Sequence, residues 1–264
     1  MKFLDQVVAD KQREIASARL VTPLSSLMAM TQRHPVRDFR GALSRRGAVI
    51  AELKARTPTI ASFLHSGSLH QLAAIYAENG AAAISIVADP ARFGTSLADV
   101  TGVRETVSLP IIAKDFIIDP YQIIAARAAG ADAVLLIVRL LDLERLRSFL
   151  ATAAELGMSA LVETHSESEV LAAIAAGAPI IGINNRDLDT MTVSLETTRR
   201  LASLVPEGAI LVSESGIETR ADMDDLAAHG ATAFLVGGTL LTAHDPAAAL
   251  RALTAPRVTA RVRS

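Results

Sequence analysis

The sequence contains no cysteine, which excludes disulfides and thiolate metal ligands and fits a cytoplasmic protein. No apolar run reaches the ~18–20 residues of a membrane helix. The first twenty residues, Met1 to Leu20, carry charges throughout and lack the apolar centre of a signal peptide. Neither sign of charge dominates: 26 basic and 28 acidic side chains leave a formal net charge of −2. Such a balance offers no footprint for nucleic acid or an anionic membrane, so neither is an expected partner. The basic tail of Arg257, Arg261 and Arg263 reads as a solvated end. The six histidines are scattered, with no H-x-x-x-H or H-x-H pair, and no metal site is expected. A nucleophile elbow is missing, and so is a G-x-G-x-x-G turn after a first strand.

What is present is a regular alternation. Eight short apolar, β-branched runs alternate with helical patterns: Ala48–Lys54, Ala82–Ala88, Pro110–Lys114, Ala131–Val138, Ser159–Thr164, Pro179–Asn185, Ala209–Ser215 and Thr232–Gly238. Most are too continuously apolar for a half-exposed sheet and read as parallel strands buried on both faces. A Gly-Ala pair recurs at Gly80, Gly130, Gly177 and Gly230, where a helix ends and a strand opens. These intervals each hold about two βα units, and four such intervals close a barrel. Ser68-x-x-Gln71 and Ser166-x-x-Glu169 have the form of capping boxes, and Asp119-Pro120 that of an N-cap followed by proline. The expectation is an α/β fold, one (β/α)₈ TIM-barrel domain over residues 1–264. Residues 1–47 form a helical extension covering one barrel end. Leu4, Val7, Val8 and Ile15 make one apolar stripe in it, and Leu24, Leu27 and Met28 another.

In such barrels the chemistry sits at the carboxyl ends of the strands. Those ends carry Glu52 and Lys54, Lys114, Glu163, Asn184, Glu214 and Ser215, then Gly237-Gly238. Lysine is scarce, at Lys2, Lys11, Lys54 and Lys114 only, in a chain that otherwise uses arginine. Two of the four end strands, and a partly buried lysine can exchange a proton where arginine cannot. Structural salt bridges at the rim are the plainer alternative. Glu52 and Lys54 share a strand face, and if that face points inward they make a charge pair in the barrel mouth. Lys114 ends an apolar strand, where desolvation is expected to loosen its proton, and Glu163 follows Ala160-Leu161-Val162, a setting for a general base. His165 reads as structural or capping, Asn185 as a turn former, and Asn184 as a partner for a substrate hydroxyl. Ser215-Gly216 and Gly237-Gly238-Thr239, with Arg186 nearby, read as a phosphate site.

Together these segments carry a resemblance. Ile50-Ala51-Glu52-Leu53-Lys54, Lys114-Asp115-Phe116-Ile117, Leu161-Val162-Glu163, Gly182-Ile183-Asn184-Asn185-Arg186-Asp187-Leu188, Ser213-Glu214-Ser215-Gly216-Ile217 and Phe234-Leu235-Val236-Gly237 occur in this order. The chain resembles the indole-3-glycerol-phosphate synthase family from Phe3 to about Leu250. The resemblance implies a carboxy-lyase of tryptophan biosynthesis. Its small phosphorylated substrate would be a carboxyphenylamino-deoxyribulose phosphate, closed to an indole with loss of carbon dioxide and water and without a cofactor. It implies Lys114 as general acid, Glu163 as general base or cation stabiliser, and Lys54 on the substrate carboxylate. Glu52, Asn184, Glu214 and Ser215 would orient these groups, Gly216, Gly237 and Gly238 would hold phosphate, and Phe93 and Phe116 would flank the aromatic ring. Arg186 and Thr57 would also meet substrate. On this reading the ketone oxygen is expected to need an acid to leave, and an aryl proton is expected to need a base.

Three places depart from the family pattern: Thr57-Pro58-Thr59 for Ser-Pro-Ser, Phe93-Gly94-Thr95-Ser96 for Phe-x-Gly-Ser, and Gly238-Thr239 for Glu-Ser or Ser-Ser. All touch substrate loops, and Thr57–Ser68 is expected to close over ligand. The alternatives are another sugar-phosphate isomerase or lyase, including a Schiff-base aldolase using Lys114, or a non-catalytic metabolite-binding paralogue. A monomer or weak homo-oligomer is expected.

Overall fold

The computed structural model describes residues 3–57 and 68–255. The expected closing loop and the basic tail therefore lie, for residues 58–67 and 256–264, outside the described residues.

All eight expected strands form, each one to three residues shorter than its apolar run except the fifth, which matches it. They are β1 (Ala48–Leu53), β2 (Ala83–Val87), β3 (Ile111–Lys114), β4 (Ala133–Ile137), β5 (Ser159–Thr164), β6 (Ile180–Asn184), β7 (Ile210–Glu214) and β8 (Ala233–Val236). They pair in parallel in chain order, and β8 returns to β1 with Ala51 opposite Val236, closing the barrel. Three helices precede the barrel, α1 (Phe3–Val21), α2 (Leu24–Met30) and α3 (Phe39–Leu43). Around it run α4 (Leu69–Glu78), α5 (Pro90–Phe93), α6 (Leu97–Thr106), α7 (Pro120–Ala128), α8 (Leu143–Glu155), α9 (Glu167–Ala176), α10 (Glu196–Leu201), α11 (Arg220–Ala228), α12 (Gly238–Leu241) and α13 (Pro246–Thr254).

The apolar runs are continuous because each strand has two buried faces. Val49, Ala51, Ile84, Ile86, Val134 and Val162 pack outward against the helices. Ala48, Ile50, Ala83, Ile112, Leu135, Leu161, Ile180, Val212 and Leu235 fill the barrel interior. Strand parity thus assigns every later residue a direction. The recurring Gly-Ala glycines all take left-handed backbone, with φ of 102° at Gly80, 95° at Gly130, 80° at Gly177 and 114° at Gly230.

Ser68 and Gln71 cap α4 reciprocally, and Asp119 caps α7 with Pro120 in its first turn. Ser166 caps α9 through Glu169 N, but the Glu169 carboxylate does not return to Ser166. It reaches one residue further back, to His165 N at 2.7 Å.

The helical extension touches both barrel ends, not one. Phe39 and Leu43 of α3 plug the amino-terminal end against the interior cluster. α1 instead reaches the carboxyl-end loops after β2 and β3. Val7, Lys11 and Ile15 lie four apart on its buried face. Of the second expected stripe only Leu27 is buried; Leu24 and Met28 remain 48% and 46% exposed. Below, the Asp132 carboxylate accepts from Arg104, Ile111 N and Arg37 N, pinning the entry segment to the barrel.

Candidate active site

Glu52 continues the inward parity of Ala48 and Ile50, and Lys54 follows it. Lys114 continues Ile112, Glu163 continues Leu161, Asn184 continues Ile180, and Glu214 continues Val212. Glu52 and Lys54 therefore point inward, the condition for a charge pair in the mouth, and side chains from five strand ends converge there. Lys54 Nζ lies 2.6 Å from Glu52 Oε1. Lys114 Nζ sits among three carboxylates, 3.0 Å from Glu214 Oε2, 3.6 Å from Glu52 Oε2 and 3.8 Å from Glu163 Oε2.

This crowding reverses one expectation. Burial alone would loosen the Lys114 proton, but Glu214, Glu52 and Glu163 outweigh it and hold the ammonium well above the ordinary lysine range. An imine-forming lysine must shed its proton to become a nucleophile, so this setting runs against the Schiff-base alternative. Burial also opposes the Glu52 carboxylate, yet Lys54 and Lys114 bring it down to about 2. Glu214 goes the other way: burial, helped by Glu163 and only partly offset by Lys114, pushes it up to about 7. Three carboxylates thus face two ammonium groups, and of Glu52 and Glu214 it is Glu214 that holds a proton more readily.

A residue absent from the expected set makes this possible. A Cβ at Gly182 would stand 2.2 Å from Glu214 Oε1, so only glycine on β6 leaves that carboxylate its place. Lys11 is a second residue outside that set. Its side chain is 2% exposed and contacts Asp115 at 2.8 Å, Glu14 at 2.8 Å and Asp89 at 3.5 Å. Asp115 adjoins Lys114, and Asp89 caps the short helix carrying Phe93. Lys11 therefore ties α1 to both loops. The scarcity that flagged Lys54 and Lys114 applied equally to it.

Phe93 and Phe116 stand at the mouth. The Phe93 ring centroid is 6.0 Å from Lys54 Nζ, and Phe116 packs partly buried on the interior cluster. Both Ala55 N and Arg56 N donate to Phe93 O, so the loops after β1 and β2 are joined next to Thr57.

At the other side of the mouth, Asn184 Oδ1 accepts from Arg186 N. The Arg186 guanidinium bonds Met191 O within its own loop. Asn185 is not a turn former. It is 2% exposed, donates to Ser213 Oγ and Ser215 O, and accepts from Thr198 N and Oγ1. That hub secures Ser215, a non-glycine residue in left-handed backbone (φ 67°). Gly216 follows, with Val193 2.5 Å from where its Cβ would lie. Thr239 Oγ1 donates to Ile217 O at 2.6 Å and joins this turn to Gly237-Gly238. Gly238 opens α12, where N–H groups point out of the helix, and its missing side chain would meet nothing within 4 Å. Gly237 instead backs onto Glu52, with Oε1 2.5 Å from a Cβ.

Among the described residues no cluster of histidine and carboxylate side chains could hold a metal ion, and no helix is long and apolar enough to cross a membrane.

Comparison with known proteins follows the same lines. Solved structures share the barrel: an N-acetylmannosamine-6-phosphate 2-epimerase from Clostridium perfringens has a TM-score of 0.60 at 16% identity, covering 78% of this chain and 92% of its own. A thiamine phosphate pyrophosphorylase from Pyrococcus furiosus has a TM-score of 0.58 at 17% identity, covering 80% of this chain and 94% of its own. At such identities the likeness is one of fold. Closer in sequence is the indole-3-glycerol phosphate synthase of Parafrankia sp. (strain EAN1pec), 42% identical over 93% of this chain and 92% of that protein. Those of Roseiflexus sp. (strain RS-1) and Nocardioides sp. (strain ATCC BAA-499 / JS614) are 44% and 43% identical, over 95% and 96% of this chain and 97% and 98% of theirs. The family model for indole-3-glycerol phosphate synthase matches residues 4–253, and the chain belongs to that family.

Proposed function

We propose that Lys114 and Glu163 form the acid–base pair of the decarboxylating, dehydrating ring closure that the family carries out. The reaction converts 1-(2-carboxyphenylamino)-1-deoxyribulose 5-phosphate to indole-3-glycerol phosphate, carbon dioxide and water. No electrons enter or leave in that balance, so a redox cofactor has no part in it.

The attacking aryl carbon bears the carboxyl group. It bonds to the ketone carbon as the ketone oxygen takes a proton from Lys114, which solvent then restores, and departure of carbon dioxide leaves its C–C electron pair behind to restore the aromatic ring. The proton lost in the dehydration is therefore not an aryl proton. It comes from the methylene between the nitrogen and the former ketone carbon, next to the carbon that loses hydroxide. Acid and base must reach neighbouring atoms. The observation that carries the proposal is the 3.8 Å between Lys114 Nζ and Glu163 Oε2 in the barrel mouth. Lys114 delivers a proton to the departing oxygen, which is strongly basic as it leaves, so a firmly held ammonium serves. Glu163 takes the methylene proton.

Lys54, beside the Phe93 ring, receives the substrate carboxylate until it leaves as carbon dioxide. Glu52 and Glu214 hold the two lysines in register, while Asn184, Ser215, Arg186 and Thr57 face the ribulose chain and Phe116 the aryl ring. Gly216, Gly237 and Gly238 bind phosphate. A doubly charged phosphate ester does not cross membranes, which supports a cytoplasmic site of action.

Purified protein with this substrate should develop indole fluorescence, and Glu163→Gln should abolish it. Turnover by that variant at the parent rate removes Glu163 from the role of base.

A further inference from the structure

Glu163 has two carboxylate oxygens with different neighbours. Oε2 faces Lys114, while Oε1 lies 3.4 Å from His165 Nε2. The other ring nitrogen, Nδ1, is 3.1 Å from Glu169 Oε2. Arg139 Nε donates to Glu169 Oε1 at 2.8 Å, and Arg139 Nη1 lies 3.6 Å from Asp189. The imidazole is nearly sealed, with a side-chain exposure of 3%.

Local sequence would use Glu169 differently. It occupies the third helical position behind Ser166, where a carboxylate ordinarily returns to its own N-cap. Here it is diverted to the backbone and ring of His165. Although burial opposes its charge, His165 and Arg139 bring Glu169 down to about 2, so it is an ionised acceptor. Nδ1 must then carry hydrogen. Nε2 is left facing Glu163 Oε1, buried and with no hydrogen bond of its own among the described residues. Without a proton in that gap, two buried lone pairs would oppose each other, which is costly.

We propose that His165 is the positioning residue of Glu163, sharing one proton with Oε1 so that Oε2 is the oxygen presented to substrate. This rests on Glu163 acting as the base. The groups around the pair are Glu163 on β5, Glu169 on α9, Arg139 behind Glu169, Lys114 on β3 and Glu214 on β7. When the methylene C–H bond breaks, its proton goes to Oε2 and its electron pair becomes the new ring double bond. The C–O pair leaves with the oxygen, which Lys114 protonates. The shared proton then stays with the imidazole, whose charge Glu169 balances, and returns when Glu163 releases its own.

The test is the pH profile of kcat by indole fluorescence for His165→Ala, His165→Asn and Glu169→Gln, with Glu163→Gln as control. His165→Ala should lose at least about tenfold in kcat, part of the ~10²–10⁴-fold that a positioned base contributes. KM should stay within about threefold, the pattern of an interaction made in the transition state. The acid limb of kcat should move to higher pH, because the carboxylate has lost its proton-sharing neighbour. His165→Asn, which can donate but not titrate, should recover part of kcat and none of the limb; Glu169→Gln should shift the limb in the same direction. Parent-like kcat and limb in His165→Ala, with Glu163→Gln inactive, overturn the role of His165 alone. An active Glu163→Gln removes the base and His165's role with it. If His165→Ala fails to fold, the ring ¹⁵N shifts of His165 in the parent protein and in Glu163→Gln decide: an Nε2 shift that moves when the Glu163 carboxylate is lost supports the proposal, and one that stays in place overturns it.

Discussion

Gly237 stands directly behind Glu52: a Cβ added there would lie 2.5 Å from Glu52 Oε1. The same carboxylate holds Lys54 at 2.6 Å, so a glycine assigned to phosphate binding also sets the position of the acid–base cluster. The two glycines of this turn should then separate kinetically. Gly238→Val, with open space around it, should raise KM by about tenfold and abolish competition by inorganic phosphate, leaving kcat nearly intact, as loss of uniform binding does. Gly237→Ala should instead lower kcat. Steady-state kinetics with phosphate as inhibitor checks both, and an unchanged KM in Gly238→Val with phosphate still competing removes Gly238 from the phosphate site.

Lys114 tests proton donation against charge. Arginine would keep the positive charge among Glu52, Glu163 and Glu214 but could not give up a proton usefully. Lys114→Arg should fold, as judged by circular dichroism, and lose roughly 10²–10⁴-fold in kcat. A variant within about threefold of the parent would leave only an ion-pair role for Lys114 and turn attention to Lys54.

Glu214 makes a prediction about stability and pH. Its carboxyl is held at about 7 in the folded chain against an ordinary 4.5, so between those values the native state binds more protons than the unfolded state. Stability should therefore fall as pH rises through that window, by up to about 3 kcal/mol. Glu52 and Glu169, both held at about 2, act oppositely: their contribution is present above about 4.5 and is lost as pH falls towards about 2. Urea unfolding at about pH 5 and about pH 7.5 should show the decline in the parent and its loss in Glu214→Gln. Equal slopes in the two proteins would remove Glu214 as its source.

Lys11 should matter far more than an amino-terminal surface lysine. Lys11→Met leaves Asp115 without its cation and Asp89 with Arg92 alone. Breaking a buried pair on one side costs about 3–5 kcal/mol, and urea unfolding should show a loss of that order. A loss below about 1 kcal/mol, the range of an exposed pair, would mean that α1 is not locked to the loops through this residue.

What the sequence determined by itself was whatever depends on neighbours along the chain. Burial on two faces made eight apolar runs, left-handed glycines closed the helices before the strands, and parity sent Glu52, Lys54, Lys114, Glu163, Asn184 and Glu214 to one interior. The residue types at those strand ends were readable for the same reason. Tertiary structure decided what depends on closure. Whether burial or charge governs Lys114 turned on three carboxylates from β1, β5 and β7, each distant in sequence and each within 3.8 Å of its ammonium. Coulomb energy at that range outweighs desolvation, and no local pattern records it. Likewise only the folded barrel puts Gly182 beneath Glu214 and Lys11 between two loops. Periodicity is a one-dimensional signal; the balance of charge in a barrel mouth is a sum over the whole ring of strands.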